Sequence, residues 1–302
     1  MEEVTRIDTH SLSHPSPSQP HSIDLFELGE LSQSTPSRPA RSFMEMKLGW
    51  ILDLWPYYAA MFLGLLYCSC LLYPLYVIYK PPRRLIAYFQ RRWPDVLFCL
   101  PVKQKVVALT IDDAPSVHTS EIHALLQLTE ATATFFVIGS QVAGHAGHLI
   151  DLVRDGNELA NHAMYDERSR SRSDADLTEQ VASVGDMIHD IYRQAGRPDG
   201  PENWFFRPGS GFFSTRMRKL VSQMGYQLAL GNVYPHDAQI PFATLNARHI
   251  LSQIRPGSVV VCHDRRRWTL PMLEIVLPEL RRRGYRVVTL SALLRERTSG
   301  RS

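Results

Sequence analysis

From Lys105 to the end the chain repeats one pattern: a short apolar run, then 10 to 15 residues with helical spacing. The runs are "VVALTID", "TATFFVIG", "ELANHA", "WFFRP", "QLALGNV" and "SVVVCHD", and "RVVTLSALL" closes the chain. The helical stretches between them fall at 119–129, 141–154, 174–194, 214–224, 244–254 and 270–283. Strands alternating with helices of this length argue for βα units and a parallel sheet. About seven such units suit a deformed (β/α) barrel or a doubly wound sheet equally well by count.

The polar residues that can do chemistry sit where these runs end. Asp112 and Asp113 end the first, His162 the third, Arg207 the fourth, and His263 and Asp264 the sixth; Asp237 follows the fifth. In a (β/α) barrel the carboxyl ends of the strands are where active sites form. In "TIDDAPS" the two acids point to opposite sides if the strand stays regular, so one can bind a metal while the other faces a substrate. The alternative for either acid is a cap or turn for the next helix. In "NHAMYD", His162 and Asp166 share a face if the segment is a helical turn, and can then hold a metal together. In "WFFRPGSGFF", Arg207 can hold a carboxylate by a bidentate contact, and Gly209 and Gly211 let backbone approach a ligand. His263 is a general acid available at neutral pH, and Asp237 in "VYPHDAQ" can hold its ring.

Upstream the composition changes. Residues 1–45 are rich in Ser, Pro and His and are expected to be disordered; "IDLFEL" is a chance apolar cluster within them. Trp55 to Tyr79 carries no charge and is long enough to span a bilayer, with Trp and Tyr at its ends. A transmembrane helix over 51–79 and a linker over 80–103 are therefore expected, making this a single-pass membrane protein. Arg38, Arg41 and Lys47 precede the span, whereas Lys80, Arg83, Arg84, Arg91 and Arg92 follow it, which leans toward a cytosolic C-terminal side. The net charge of +3 is spread out and gives little support for nucleic-acid binding. The four cysteines form neither a disulfide framework nor a zinc-ribbon spacing. Basic runs at "RSRSRS", 265–267 and 281–283 are read as solvated faces, with Arg265 to Arg267 nearest a substrate.

Taken in order, "TIDDAP", "HAMYD", "RPGSG", Asp237 and "VVVCH" resemble the five motifs of the polysaccharide deacetylase, or NodB-homology, family of carbohydrate esterases. The resemblance runs from Lys105 to Leu294 and places the family domain at 104–296. It implies a deformed barrel of about seven parallel strands, preceded by the tail and the membrane helix. It also implies a hydrolase that removes N-acetyl groups from amino-sugar glycans such as chitin-like polymers, working outside the cytosol. By matching position, Asp113 and His162 carry over as ligands of a divalent metal, commonly zinc. Asp112 carries over as general base, Arg207 as its orienting partner, and His263 as general acid. Two departures matter. Ala114 stands where the family has Gly, at a cost of about 1 kcal/mol if φ there is positive. Asp166 stands where the family has a second His. A set of Asp113, His162 and Asp166 would tilt preference from zinc toward manganese, cobalt or magnesium. A non-catalytic, membrane-tethered glycan-binding domain, or a hydrolase of another amide, are the rival readings.

Overall fold

The computed structural model describes residues 43–299; the reading of "IDLFEL", and of the tail up to residue 42, lies outside the described residues. Residues 43–45, expected in the tail, begin a helix, α1 (Phe43–Tyr79). Its stretch Asp53–Tyr79 is long and apolar enough to cross a membrane, and its apolar window is 0% buried. The chain divides into two units, one ending at Leu66 and one running from Tyr67 onward; the second carries the sheet.

The remaining elements follow in chain order. They are α2 (Arg83–Arg92), β1 (Val96–Leu97), β2 (Val106–Ala114), α3 (Thr119–Leu128), β3 (Thr134–Val137), α4 (Ala146–Arg154), β4 (Glu158–Asn161), α5 (Asp174–Gln194) and β5 (Phe205–Phe206). Then come α6 (Thr215–Gln223), β6 (Gln227–Ala229), α7 (Ala243–Gln253), β7 (Val259–His263), α8 (Thr269–Arg282), β8 (Arg286–Val288) and α9 (Leu290–Ser299). The sheet is wholly parallel, in the order β1-β6-β5-β4-β3-β2-β7, with β8 beside β2. A single parallel bridge, Val233 to Val260, joins the chain leaving β6 to β7 and draws the sheet into a deformed barrel.

Alternation along the strands decides what each face holds. In β2, Val107, Leu109 and Ile111 join the large cluster under α3, α4 and α8. Val106 and Ala108 join the barrel interior with Phe136, Ala160, Phe205, Ala229 and Val259. A period of two puts Thr110 and Asp112 on that same interior column. In β7, Val260 and Cys262 face the helices, which leaves Val261 and His263 to the interior. The first interior positions are apolar and close the barrel floor; the last are polar and open at the strands' carboxyl ends.

Two expectations change here. Residues 80–103 are no linker: α2 packs Ile86 and Phe89 against a core cluster, and β1 pairs with β6. Also, "RVVTLSALL" splits, because Thr289 accepts a hydrogen bond from the Ala292 amide at 3.2 Å and α9 starts after it. All four cysteines are free.

Val96, Leu97, Phe98 and Leu100 are each at most 6% exposed. Burying such side chains contributes about 1.5–3 kcal/mol apiece, against a net stability of roughly 5–15 kcal/mol for a domain. A fragment 104–302 is therefore expected to melt far below a fragment 80–302, or not to fold; thermal unfolding of the two compares them directly.

Candidate active site

The cleft at the barrel's carboxyl end, about 690 Å³, is lined by Asp112, Asp113, His162, Asp166, Arg207 and His263, with Tyr234 and Arg266. That volume falls within the range of small-molecule sites. At its base lies a buried ion pair. Arg207 is 2% exposed and donates through Nη1 to Asp112 Oδ1 and, at 2.9 Å, to Thr110 Oγ1. Its Nε donates to the Ala229 carbonyl at 2.8 Å, and its guanidinium lies 4.0 Å from the centre of the Phe136 ring. The contact with Asp112 is made through one nitrogen rather than two, and Nη2 is buried without a hydrogen-bond partner. Burial holds the Arg207 pKa below its ordinary value, and Asp112 offsets this only in part.

The register of β2 and β7 makes Asp112 and His263 direct Cα partners. His263 Nδ1 donates to Asp237 Oδ1 at 3.0 Å, and the His263 backbone amide donates to Oδ2 at 2.8 Å. Asp237 is fully buried, and its own carbonyl accepts from Trp268 Nε1 at 2.8 Å. Burial disfavours the His263 imidazolium. The hydrogen bond and charge of Asp237, with Asp112 and Asp113 behind it, override this and raise its pKa to about 9. With Nδ1 held, Nε2 is the nitrogen left to serve the cleft.

Asp113 does not obey the alternation expected of it. The pairing of β2 with β3 shifts register between Ile111 and Ala114, and Asp113 has φ 61°. This bulge lets both acids line one cleft. It also moves the left-handed position off Ala114, so the replacement of Gly there carries no conformational cost. The N-cap of α3 is His118, with no side-chain cap, and Asp264 accepts from Ser116 Oγ at 2.9 Å and from Thr119 Oγ1 at the start of that helix. That leaves Asp112 and Asp113 free of the helix.

Asp113 Oδ1 is 3.7 Å from His162 Nε2. His162 Nδ1 donates to the Arg207 carbonyl at 2.7 Å, which fixes the tautomer and turns the Nε2 lone pair toward Asp113. Metal-ligating histidines are held in this way. Burial pushes the Asp113 carboxyl up; His162 and His263 oppose that, while Asp112 and Asp166 add to it. Such a carboxylate gains from an added cation, so these two residues fit a divalent ion.

Asp166 is placed differently. The segment after His162 is not helical: Ala163 has φ 66° and the next residues bend outward. Asp166 is exposed at the cleft rim, its Oδ2 3.4 Å from Arg265 Nη1. Among the described residues no three His, Cys, Asp or Glu side chains gather as a ligand set. Arg266, in the basic run expected nearest a substrate, brings Nη2 to 3.7 Å from Asp113 Oδ2. Gly209 has a different use from the one expected: a Cβ there would meet the Glu167 carbonyl at 1.9 Å, so its close approach is to the Asp166 loop.

The family model described as "Polysaccharide deacetylase" matches residues 100–229. A peptidoglycan-N-acetylglucosamine deacetylase from Bacillus cereus is 30% identical over 202 residues, covering 65% of this chain and 91% of that protein. The chain belongs to the polysaccharide deacetylase family. Among solved structures, a family 4 acetyl xylan esterase from Clostridium thermocellum in complex with a cobalt ion is similar at TM-score 0.55 and 29% identity, over 63% of this chain and 90% of that one. A CE4 family pseudoenzyme from Bacillus anthracis shares the fold at TM-score 0.59 and 22% identity, over 66% and 68%.

Gly209→Ala is expected to cost about 1–3 kcal/mol by forcing the 162–169 loop aside. Chemical denaturation measures the loss, and Gly209→Ser should be no milder.

Proposed function

We propose that the chain is a metal-dependent hydrolase that removes N-acetyl groups from amino-sugar glycans and releases acetate. One observation carries this reading. Two charge pairs, Asp112–Arg207 and His263–Asp237, meet across adjacent strands at the base of a cleft, beside the Asp113–His162 seat. The name of the Bacillus cereus relative points to the same substrate class.

Asp112, held in place by Arg207, takes a proton from water as its oxygen attacks the amide carbonyl. The carbon–nitrogen bond then breaks, and His263 gives the Nε2 proton to the departing sugar amine. A divalent ion held by Asp113 and His162 would polarise the carbonyl and lower the pKa of water. Cobalt in the acetyl xylan esterase supports a divalent ion here, with zinc, manganese or magnesium as the other candidates. Asp166 is the proposed third ligand; it reaches that role by leaving Arg265. Residues 53–79 form the membrane anchor, and the catalytic domain lies on the extracytosolic side.

A specific feature favours one rival. With Asp166 on Arg265 and Arg266 against Asp113, the cleft can hold a glycan without hydrolysing it. Acetate release from N-acetylglucosamine oligomers, with zinc or cobalt added, separates the two. The hydrolase reading expects release, and expects Asp112→Ala to lower kcat by at least about 10²-fold. Binding with no acetate under any metal would leave only the non-catalytic reading.

The pH profile has a defined sign. His263 acts as its imidazolium, so activity is retained below its raised pKa and lost as pH rises through about 9. Asp237→Asn removes the charge that raises this pKa. Its alkaline limb in kcat should therefore move to lower pH; an unmoved limb would assign it to another group.

A further inference from the structure

The last turn of α1 is part of the cleft. Ile78 lines it together with Asp112, Tyr234, His236 and His263, while remaining 68% exposed. The helix end is pinned there rather than left slack. The Tyr79 ring stacks on His236 at 5.1 Å and meets His249 edge-on at 4.4 Å. The Tyr79 carbonyl accepts from His236 Nε2 at 3.0 Å, and Lys80 Nζ donates to Ser252 Oγ at 3.0 Å. His236 itself sits at φ 62° and directly precedes Asp237, the partner of the proposed general acid.

Before that last turn the helix offers a mostly apolar surface to its surroundings. Leu71, Leu72, Tyr73, Leu75 and Tyr76 are all more than half exposed. At about 25 cal/mol per Å² such a surface is costly in water, and a lipid phase removes the cost. Just beyond the helix, α2 turns Arg83, Arg84, Tyr88, Arg91 and Arg92 outward while Ile86 and Phe89 pack on the core. A basic face with an exposed Tyr suits the anionic headgroup layer. Farther round the cleft, Phe212 is 67% exposed and also lines it.

A catalytic domain that works on a distant wall polymer gains from a long, flexible tether. Here the end of the apolar helix is fixed to the domain through Tyr79 and Lys80, directly beside the cleft. We propose that the substrate is a membrane-anchored N-acetylated amino sugar, a glycolipid headgroup whose acyl or prenyl tail leaves the cleft past Ile78 and Phe212. This rests on the hydrolase reading of the site and on residues 53–79 spanning the membrane.

The test uses the full chain in lipid vesicles and measures acetate release from three presentations of N-acetylglucosamine. These are a glycolipid in the same vesicles, the same glycolipid in separate vesicles, and a soluble N-acetylglucosamine tetramer. The proposal expects the same-vesicle glycolipid to be hydrolysed at least about tenfold faster per molecule than the other two, as a fixed tether raises effective concentration. It further expects Ile78→Asp to shrink that ratio. If the tetramer or the separate-vesicle glycolipid is hydrolysed equally well, or if Ile78→Asp leaves the ratio unchanged, the glycolipid proposal is overturned while the hydrolase reading stands. If no presentation releases acetate under any divalent metal, both fall.

Discussion

A guanidinium and a carboxylate buried together in a barrel interior set the terms for the rest of this structure. Removing either Arg207 or Asp112 would strand the other charge, at a typical cost of about 3–5 kcal/mol. The surroundings are built to hold the pair. Thr110 and the Ala229 carbonyl take hydrogen bonds from Arg207, and Phe136 lies flat beneath it. These contacts draw on β2, β3 and β6, so the ion pair ties together strands that are distant in the chain. The Arg207 carbonyl in turn fixes His162, and its side chain aims Asp112. One residue therefore serves the proposed base and the proposed cation seat at once.

The second pair is organised by the same logic. Asp237 is fully buried, and the ring and the amide of His263 each donate to its carboxylate. The parallel register of β2 and β7 then brings His263 beside Asp112. The proposed proton acceptor and the proposed proton donor are thus placed by sheet hydrogen bonding rather than by loops, which favours precise positioning. The third carboxylate, Asp113, reaches the same cleft only because the bulge breaks the strand's alternation.

Much of this could be read from the sequence for a physical reason. Strand side chains alternate, and apolar runs with polar ends announce which end of a barrel does chemistry. That located Asp112, His162, Arg207 and His263 in one cleft, with Asp237 buried behind His263. What was not legible depends on backbone detail. The left-handed Ala163 breaks the helical turn that would have aligned His162 with Asp166. The left-handed Asp113 turns an expected conflict between adjacent acids into a shared site. The β1 strand is too short to show a period, and α2 spends its charges on the outer face, so together they read as a linker. Tyr234 and Ile78 carry no signal in spacing; only the closing of the barrel brings them to the cleft.

The central claim is that Asp113 and His162 seat a divalent ion beside Asp112. Equilibrium titration of the full chain with cobalt, followed by calorimetry and by the visible spectrum of the bound ion, tests it without reference to any substrate. The account predicts one ion per chain, with binding lost in Asp113→Ala and in His162→Ala and weakened in Asp166→Ala. A chain that takes up no ion, or one whose binding survives the loss of both Asp113 and His162, would contradict it.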